Sequence, residues 1–297
     1  MLLSDMINRC RKFHDYALHF NDVSLIDFNN NDSFLGNLKL DNDSWLPFAF
    51  IKSANKFKDR RSLTVVFSGA VRHGHPRPTF HRISWAEEFR GDCLYIADPE
   101  LADPSLQLAW YIGKPAANVM QNILLLTNKC KEDICPMMSY AYGSSGGGYA
   151  ALHLARYTTN FRIISINPQI YICNWLSGPV KSFSNKILGI EKNRLSSDMP
   201  EINFACHGLD EHANGNKILV YQNTVDVHSD KHVGLLLKNH PQLACCHNWR
   251  FEEFTRQPSH AAEKKSWVKD IFDYVDEWPL ERRLRHVERG EIQADFD

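Results

Sequence analysis

The stretch Gly143-Ser144-Ser145-Gly146-Gly147 constrains this chain more than any other. The run Met137-Met138-Ser139-Tyr140-Ala141-Tyr142 reads as a strand entering it, and Gly148-Tyr149-Ala150-Ala151-Leu152 starts a helical pattern leaving it. A chain passing from strand to helix so abruptly must reverse sharply and hold one residue in strained φ/ψ. The pattern G-x-S-x-G answers that need, because small residues two before and two after the serine relieve crowding, and glycine does so best. The helix N-terminus behind the serine favours developing negative charge. Two serines adjoin, so register matters. Ser145 has Gly143 and Gly147 at the flanking positions, whereas Ser144 would have bulky Tyr142 and Gly146. Ser145 is therefore the expected nucleophile. The competing reading is a glycine-rich loop, structural or phosphate-binding, but no G-x-x-x-x-G-K-[ST] occurs.

The 297 residues, 43% hydrophobic and 23% charged, suit a globular chain with one large core. A formal net charge of -1 gives no global field for nucleic acid or a membrane surface. No apolar run approaches the roughly 20 residues of a membrane span. Met1-Leu2-Leu3 is followed by Asp5, Arg9, Arg11 and Lys12, which leaves no apolar core for a signal peptide. The expected location is cytoplasmic, and the eight scattered cysteines read as reduced thiols. Cys130 and Cys135 have no second pair at zinc spacing, so no metal is expected.

Residues 1–60 read as a small β-rich extension, with strands near 23–28, 34–40 and 46–51, the antiparallel edge of a sheet. Residues 61–279 read as the catalytic domain. Leu63–Phe67 and Cys93–Ala97 are continuous apolar strands, as in buried parallel sheets. Helical patterns run over 106–112 and from 116 towards 129. Further strands are expected at 161–166, 217–222 and 249–255, with helices over 231–238 and 261–278. Residues 175–212 lack clean periodicity and fit a cap or insertion. Residues 280–297 are a charged tail, read as a solvated helix. Strands alternating with helices imply an α/β fold, a mostly parallel sheet with helices on both faces.

A serine hydroxyl needs a base, and the base needs an orienting acid. On such a sheet they follow the serine in the order acid, then histidine, each just past a strand. Asp226 lies beyond the strand ending at Gln222, and His260 lies past the strand ending at Thr255. Asp230 is the alternative acid, with Asp210 behind it. His228 and His232 stand at i, i+4, which suits a metal or a solvated pair, but no H-E-x-x-H occurs. Oxyanion donors are expected from the backbone N–H of Gly146 and from Gly69 or Ala70, which follow the first buried strand. The loop Val71–Arg82 carries Arg72, His73, Arg77 and Arg82 and no acid. It reads either as a solvated loop or as an electropositive rim for an anionic substrate, such as a phosphoglycan or the phosphates of coenzyme A.

Val65-Val66-Phe67-Ser68-Gly69, Gly143-Ser144-Ser145-Gly146-Gly147-Gly148, Tyr221-Gln222-Asn223-Thr224-Val225-Asp226 and the late His260 resemble an α/β-hydrolase group of bacterial glycan machinery. The group includes serine-dependent capsule O-acetyltransferases and the acetyltransferase-like accessory secretion proteins of adhesin export. The likeness spans about residues 60–278. It implies an α/β-hydrolase-like fold, Ser145, Asp226 and His260 as triad, and an esterase or O-acetyltransferase acting on a small molecule or glycan, with acetyl-CoA as a candidate donor. The competing class is a non-catalytic accessory protein that keeps the fold.

Overall fold

The structure is a computed structural model that describes residues 2–29, 32–53, 62–257, 260–278 and 284–287. The described residues form a ten-stranded sheet in the order β1-β2-β3-β5-β4-β6-β7-β8-β9-β10. The strands are β1 (Leu18–Phe20), β2 (Phe34–Lys39), β3 (Trp45–Ile51), β4 (Ser62–Phe67), β5 (Asp92–Ile96), β6 (Met138–Ser144), β7 (Phe161–Ile166), β8 (Lys217–Asn223), β9 (Trp249–Thr255) and β10 (Arg285–Val287). Strand β3 is antiparallel to both β2 and β5. All the other pairings are parallel.

Successive residues of β4 point into opposite cores. Val65 and Phe67 join helices Val119–Ile134 and Gly146–Ala155 on one face, while Val66 faces helices Leu3–Arg11 and Val268–Glu277 on the other. Both faces are therefore dry, which is why the central strands read as unbroken apolar runs. Helix Gly146–Ala155 is buried along its whole length, consistent with apolar residues on nearly every face.

Several sequence expectations are corrected. The N-terminal region is not only β-rich: Leu3–Arg11 is a helix whose Met6 packs in the second core, and 23–25 is a single 3₁₀ turn. Residues 106–112 do not form a helix. Trp110 and Tyr111 take left-handed φ of 54° and 60°. That turn is held by buried hydrogen bonds: Tyr111 N–H donates to Asp98 Oδ2 at 2.9 Å, and its hydroxyl accepts the Ser68 N–H at 2.7 Å. The last helix begins at Val268 rather than 261, so His260 stands in a loop ahead of it. Part of the charged tail forms β10, parallel to β9. The rest of the expected tail helix lies outside the described residues.

Candidate active site

The elbow sits at the C-terminal end of β6. Ser145 has φ 57° and ψ −119°, a conformation that costs about 1–3 kcal/mol and persists only where its surroundings enforce it. They do. A Cβ on Gly143 would lie 2.1 Å from the Gly147 carbonyl oxygen, and one on Gly147 would lie 2.5 Å from that of Phe67. Neither position admits a side chain. The Ser145 N–H donates to the Ile166 carbonyl at 2.9 Å, which ties the elbow to β7.

The structure brings Ser145, His260 and Asp226 together. Ser145 Oγ lies 2.9 Å from His260 Nε2, and His260 Nδ1 lies 2.6 Å from Asp226 Oδ2. With the carboxylate accepting at Nδ1, the proton is assigned to that nitrogen, and Nε2 accepts the serine hydroxyl. Asp226 Oδ1 accepts the His228 N–H at 2.9 Å. Burial pushes the Asp226 carboxyl up. The hydrogen bonds from His260 and His228 outweigh that, so it sits below the ordinary carboxylate value. Asp230 is exposed and opens the turn Asp230–Gly234, and Asp210 accepts the N–H of His212 at 2.9 Å in a local turn.

Two buried asparagines at strand ends hold the His260 loop. Asn167 Nδ2 donates to the Ala261 carbonyl, and Asn223 Nδ2 to that of Arg256, each at 2.7 Å. The Trp175 ring packs 4.8 Å from the His260 ring and 4.5 Å from that of His228. His232 is buried and its Nδ1 accepts the Tyr171 N–H at 3.3 Å. Among the described residues no group of three or more His, Cys, Asp or Glu side chains is arranged to hold a metal.

Gly146 opens its helix, so its N–H has no helical acceptor. Gly69 does pass beside Ser145, since a Cβ there would lie 3.8 Å from Ser145 Cβ. Its N–H, however, donates to His81 Nδ1 at 3.2 Å. Burial first, then the charges of Arg82 and His75, lower the His81 pKa to about 4. The ring is thus neutral at pH 7 and stays an acceptor. Ala70 is exposed.

The expected arginine rim takes a different form. Arg77 donates to the backbone carbonyls of Leu101, Asp103 and Leu106 and so pins the loop. Arg82 points behind the elbow, where it is ion-paired with buried Glu263 at 2.6 Å and donates to Ser144 Oγ at 2.7 Å. Arg72 is exposed, and His73 Nδ1 lies 3.3 Å from the Pro104 carbonyl. Charge counting could not foresee this, because backbone carbonyls leave no mark in a sequence.

The sequence reading passed over Gln169. Its side-chain Nε2 lies 2.6 Å from Ser145 Oγ, and its Oε1 accepts the Trp110 indole N–H at 2.7 Å. The available cue was position: Asn167-Pro168-Gln169 leaves β7 next to the elbow strand.

No protein-family model matches the sequence, and no curated protein does. Solved structures do match. The capsule O-acetyltransferase of Neisseria meningitidis serogroup A aligns at 18% identity over 86% of this chain and 99% of its own, with a TM-score of 0.60. A mutant of that enzyme in complex with CoA aligns at 17% identity, with the same coverage and score. An S-formylglutathione hydrolase from Agrobacterium tumefaciens aligns at 15% identity over 83% of this chain and 93% of its own, with a TM-score of 0.54. The fold of this chain is α/β-hydrolase-like.

Proposed function

We propose that this chain is a serine-nucleophile acyl-transfer enzyme. The observation that carries the reading is the continuous hydrogen-bond run from Ser145 through His260 to Asp226. As Ser145 Oγ bonds to the acyl carbon, its proton passes to His260 Nε2, and the carbonyl π pair moves onto oxygen. Collapse of that intermediate re-forms the carbonyl and expels the alcohol or thiol, which takes the proton from His260. Asp226 holds the ring and stabilises its cation. In the second half-reaction, an acceptor hydroxyl gives its proton to His260 and attacks the acyl carbon; the intermediate re-forms the carbonyl and expels Ser145 Oγ, which takes the proton back from His260. Water as acceptor makes an esterase, and a sugar hydroxyl makes an O-acetyltransferase.

We favour transfer of an acetyl group from acetyl-CoA to a bacterial glycan. Support comes from the likeness to a capsule O-acetyltransferase, one form of which is described in complex with CoA. We place the reaction in the cytoplasm, where CoA thioesters are made. The residue stretch 175–212 acts as the cap, its Trp175 ring lying over His260.

The test compares p-nitrophenyl acetate with acetyl-CoA plus a set of capsular glycans, and follows thiol release and glycan mass. Thiol release that depends on a glycan supports the transferase. Nitrophenol release alone makes it an esterase. A folded protein that turns over neither and is not labelled by a fluorophosphonate is an accessory protein, and the proposal fails.

A further inference from the structure

Acyl transfer needs two N–H donors for the oxygen that gains charge. The Gly146 N–H is open, but the Gly69 N–H is engaged by His81. The elbow therefore raises the question of where the second donor lies.

Residue 169 is brought to the elbow by register. Strand β7 pairs with β6, Ser144 opposite Ile166, so the chain leaving β7 runs beside Ser145. The Gln169 N–H donates to the Ser145 carbonyl at 3.2 Å, and the whole residue is buried. Its side-chain orientation follows from chemistry. The Trp110 indole only donates, so the amide oxygen faces Trp110 at 2.7 Å and the NH₂ faces Ser145 Oγ at 2.6 Å. Trp110 is itself fixed: it is buried, holds a left-handed φ of 54°, and packs against Phe183 at 5.1 Å. An amide nitrogen carries two N–H groups. One meets Oγ, and the structure records no other acceptor for that nitrogen among the described residues.

We propose that the side-chain NH₂ of Gln169 is a catalytic donor, serving with the Gly146 N–H where a backbone N–H such as that of Gly69 would otherwise act. This rests on Ser145 being the nucleophile. At rest the serine hydroxyl donates to His260 and accepts from Gln169. When the proton moves to His260, negative charge grows first at Oγ and then on the former carbonyl oxygen. The amide meets both without transferring a proton and, being already oriented, without reorganisation. Trp110 is a positioning residue that holds the amide by its oxygen. The competing account makes Gln169 a satisfied core amide that only fastens the elbow.

The experiment measures p-nitrophenyl acetate turnover and fluorophosphonate labelling for wild type, Ser145→Ala, Gln169→Leu, Gln169→Glu and Trp110→Phe, with circular dichroism on each. Gln169→Glu keeps the size and the acceptor for Trp110 but offers no N–H, so it carries the test even if Gln169→Leu does not fold. Loss of one such donor lowers kcat by about 10²–10³. That loss is expected in both Gln169 variants with KM almost unchanged, and a smaller loss of kcat in Trp110→Phe. In Gln169→Glu the acid limb of the pH–rate profile should also move up, because an anion beside His260 favours its protonated form. A folded Gln169→Glu with wild-type kcat, or a change confined to KM, overturns the inference. If Ser145→Ala is inert while the Gln169 variants are fully active, the inference falls and the acyl-transfer reading stands. A folded wild type that neither turns over nor labels removes both.

Discussion

Ser144 and Ser145 are neighbours in the chain with opposite surroundings. Ser145, at the strained corner, meets the His260 ring and the Gln169 amide at hydrogen-bond distance. Ser144 is the last residue of β6 and shares a face with Tyr142. Its hydroxyl accepts from Arg82, whose guanidinium grips Glu263 through Nε at 2.6 Å and Nη2 at 3.2 Å, and the Tyr142 hydroxyl donates to the same carboxylate. The Glu263 side chain is 0% exposed and that of Arg82 10%. On the proposed reading, one side of the elbow lets a proton move. The other is an ion-paired clamp, in which buried Arg82 and Glu263 satisfy each other.

The comparison breaks or sharpens at measurable points. The largest effect is expected from Ser145→Ala, a loss of about 10⁶ in kcat with unfolding unchanged. Ser144→Ala should instead keep most of its turnover, and equal losses in the two would erase the distinction. Asp226→Asn should lower kcat by about 10⁴, and adding it to His260→Ala should cost little more than His260→Ala alone, since triad members act as a unit. Multiplying losses would place one of the two outside that unit. On the clamp side the readout changes from rate to stability. Glu263→Leu strands the Arg82 charge and should cost about 3–5 kcal/mol in urea unfolding, with activity surviving in whatever fraction stays folded.

Acid should separate the sides too. His81, which accepts from Gly69 beside Ser145, has a folded pKa of about 4 against an ordinary 6.5. Between those values the unfolded chain binds a proton that the folded chain refuses, so stability falls as pH drops from 6.5 towards 4 and then levels. His153 and His232, held down to about 3 and about 4 by burial, add to the slope. His81→Gln, which keeps an acceptor for Gly69, should flatten the fall of melting temperature over that range. An unchanged slope would show that the ring is protonated without penalty. The smallest effect belongs to Ser144→Ala in unfolding, about 1 kcal/mol, because Arg82 keeps its carboxylate.

Some of this was legible in the sequence for physical reasons. A reversal as tight as the elbow writes itself into residue size, so Gly143 and Gly147 announce it. The meeting of Asp226 and His260 with Ser145 could be anticipated because parallel strands deliver their C-terminal loops to one edge. What escaped depends on contacts without a periodic trace. Residues 106–112 carry a helical pattern of apolar residues, yet Trp110 and Tyr111 are bent out of it by bonds to Gln169, Asp98 and Ser68. Gln169 is one polar residue after a strand and looks like any other turn residue. The arginines of the 72–82 loop were counted as charge, when two of them are hydrogen-bond anchors for carbonyls and a carboxylate. Glu263, deep in the molecule, lies in the stretch read as the helix over 261–278, where nothing in the pattern marks it as buried.

Strands β1 and β10, three residues each, flank a sheet whose inner strands run to seven. A long bare strand is a template on which a second copy can zip, and β9 carries seven residues of such pairing capacity. Three residues of β10, bearing Arg285 and His286, cover part of it. Short charged margins of this kind are how sheets avoid stacking into fibres. The same ribbon of chain that looks dispensable to the chemistry therefore bears on whether many copies remain dispersed.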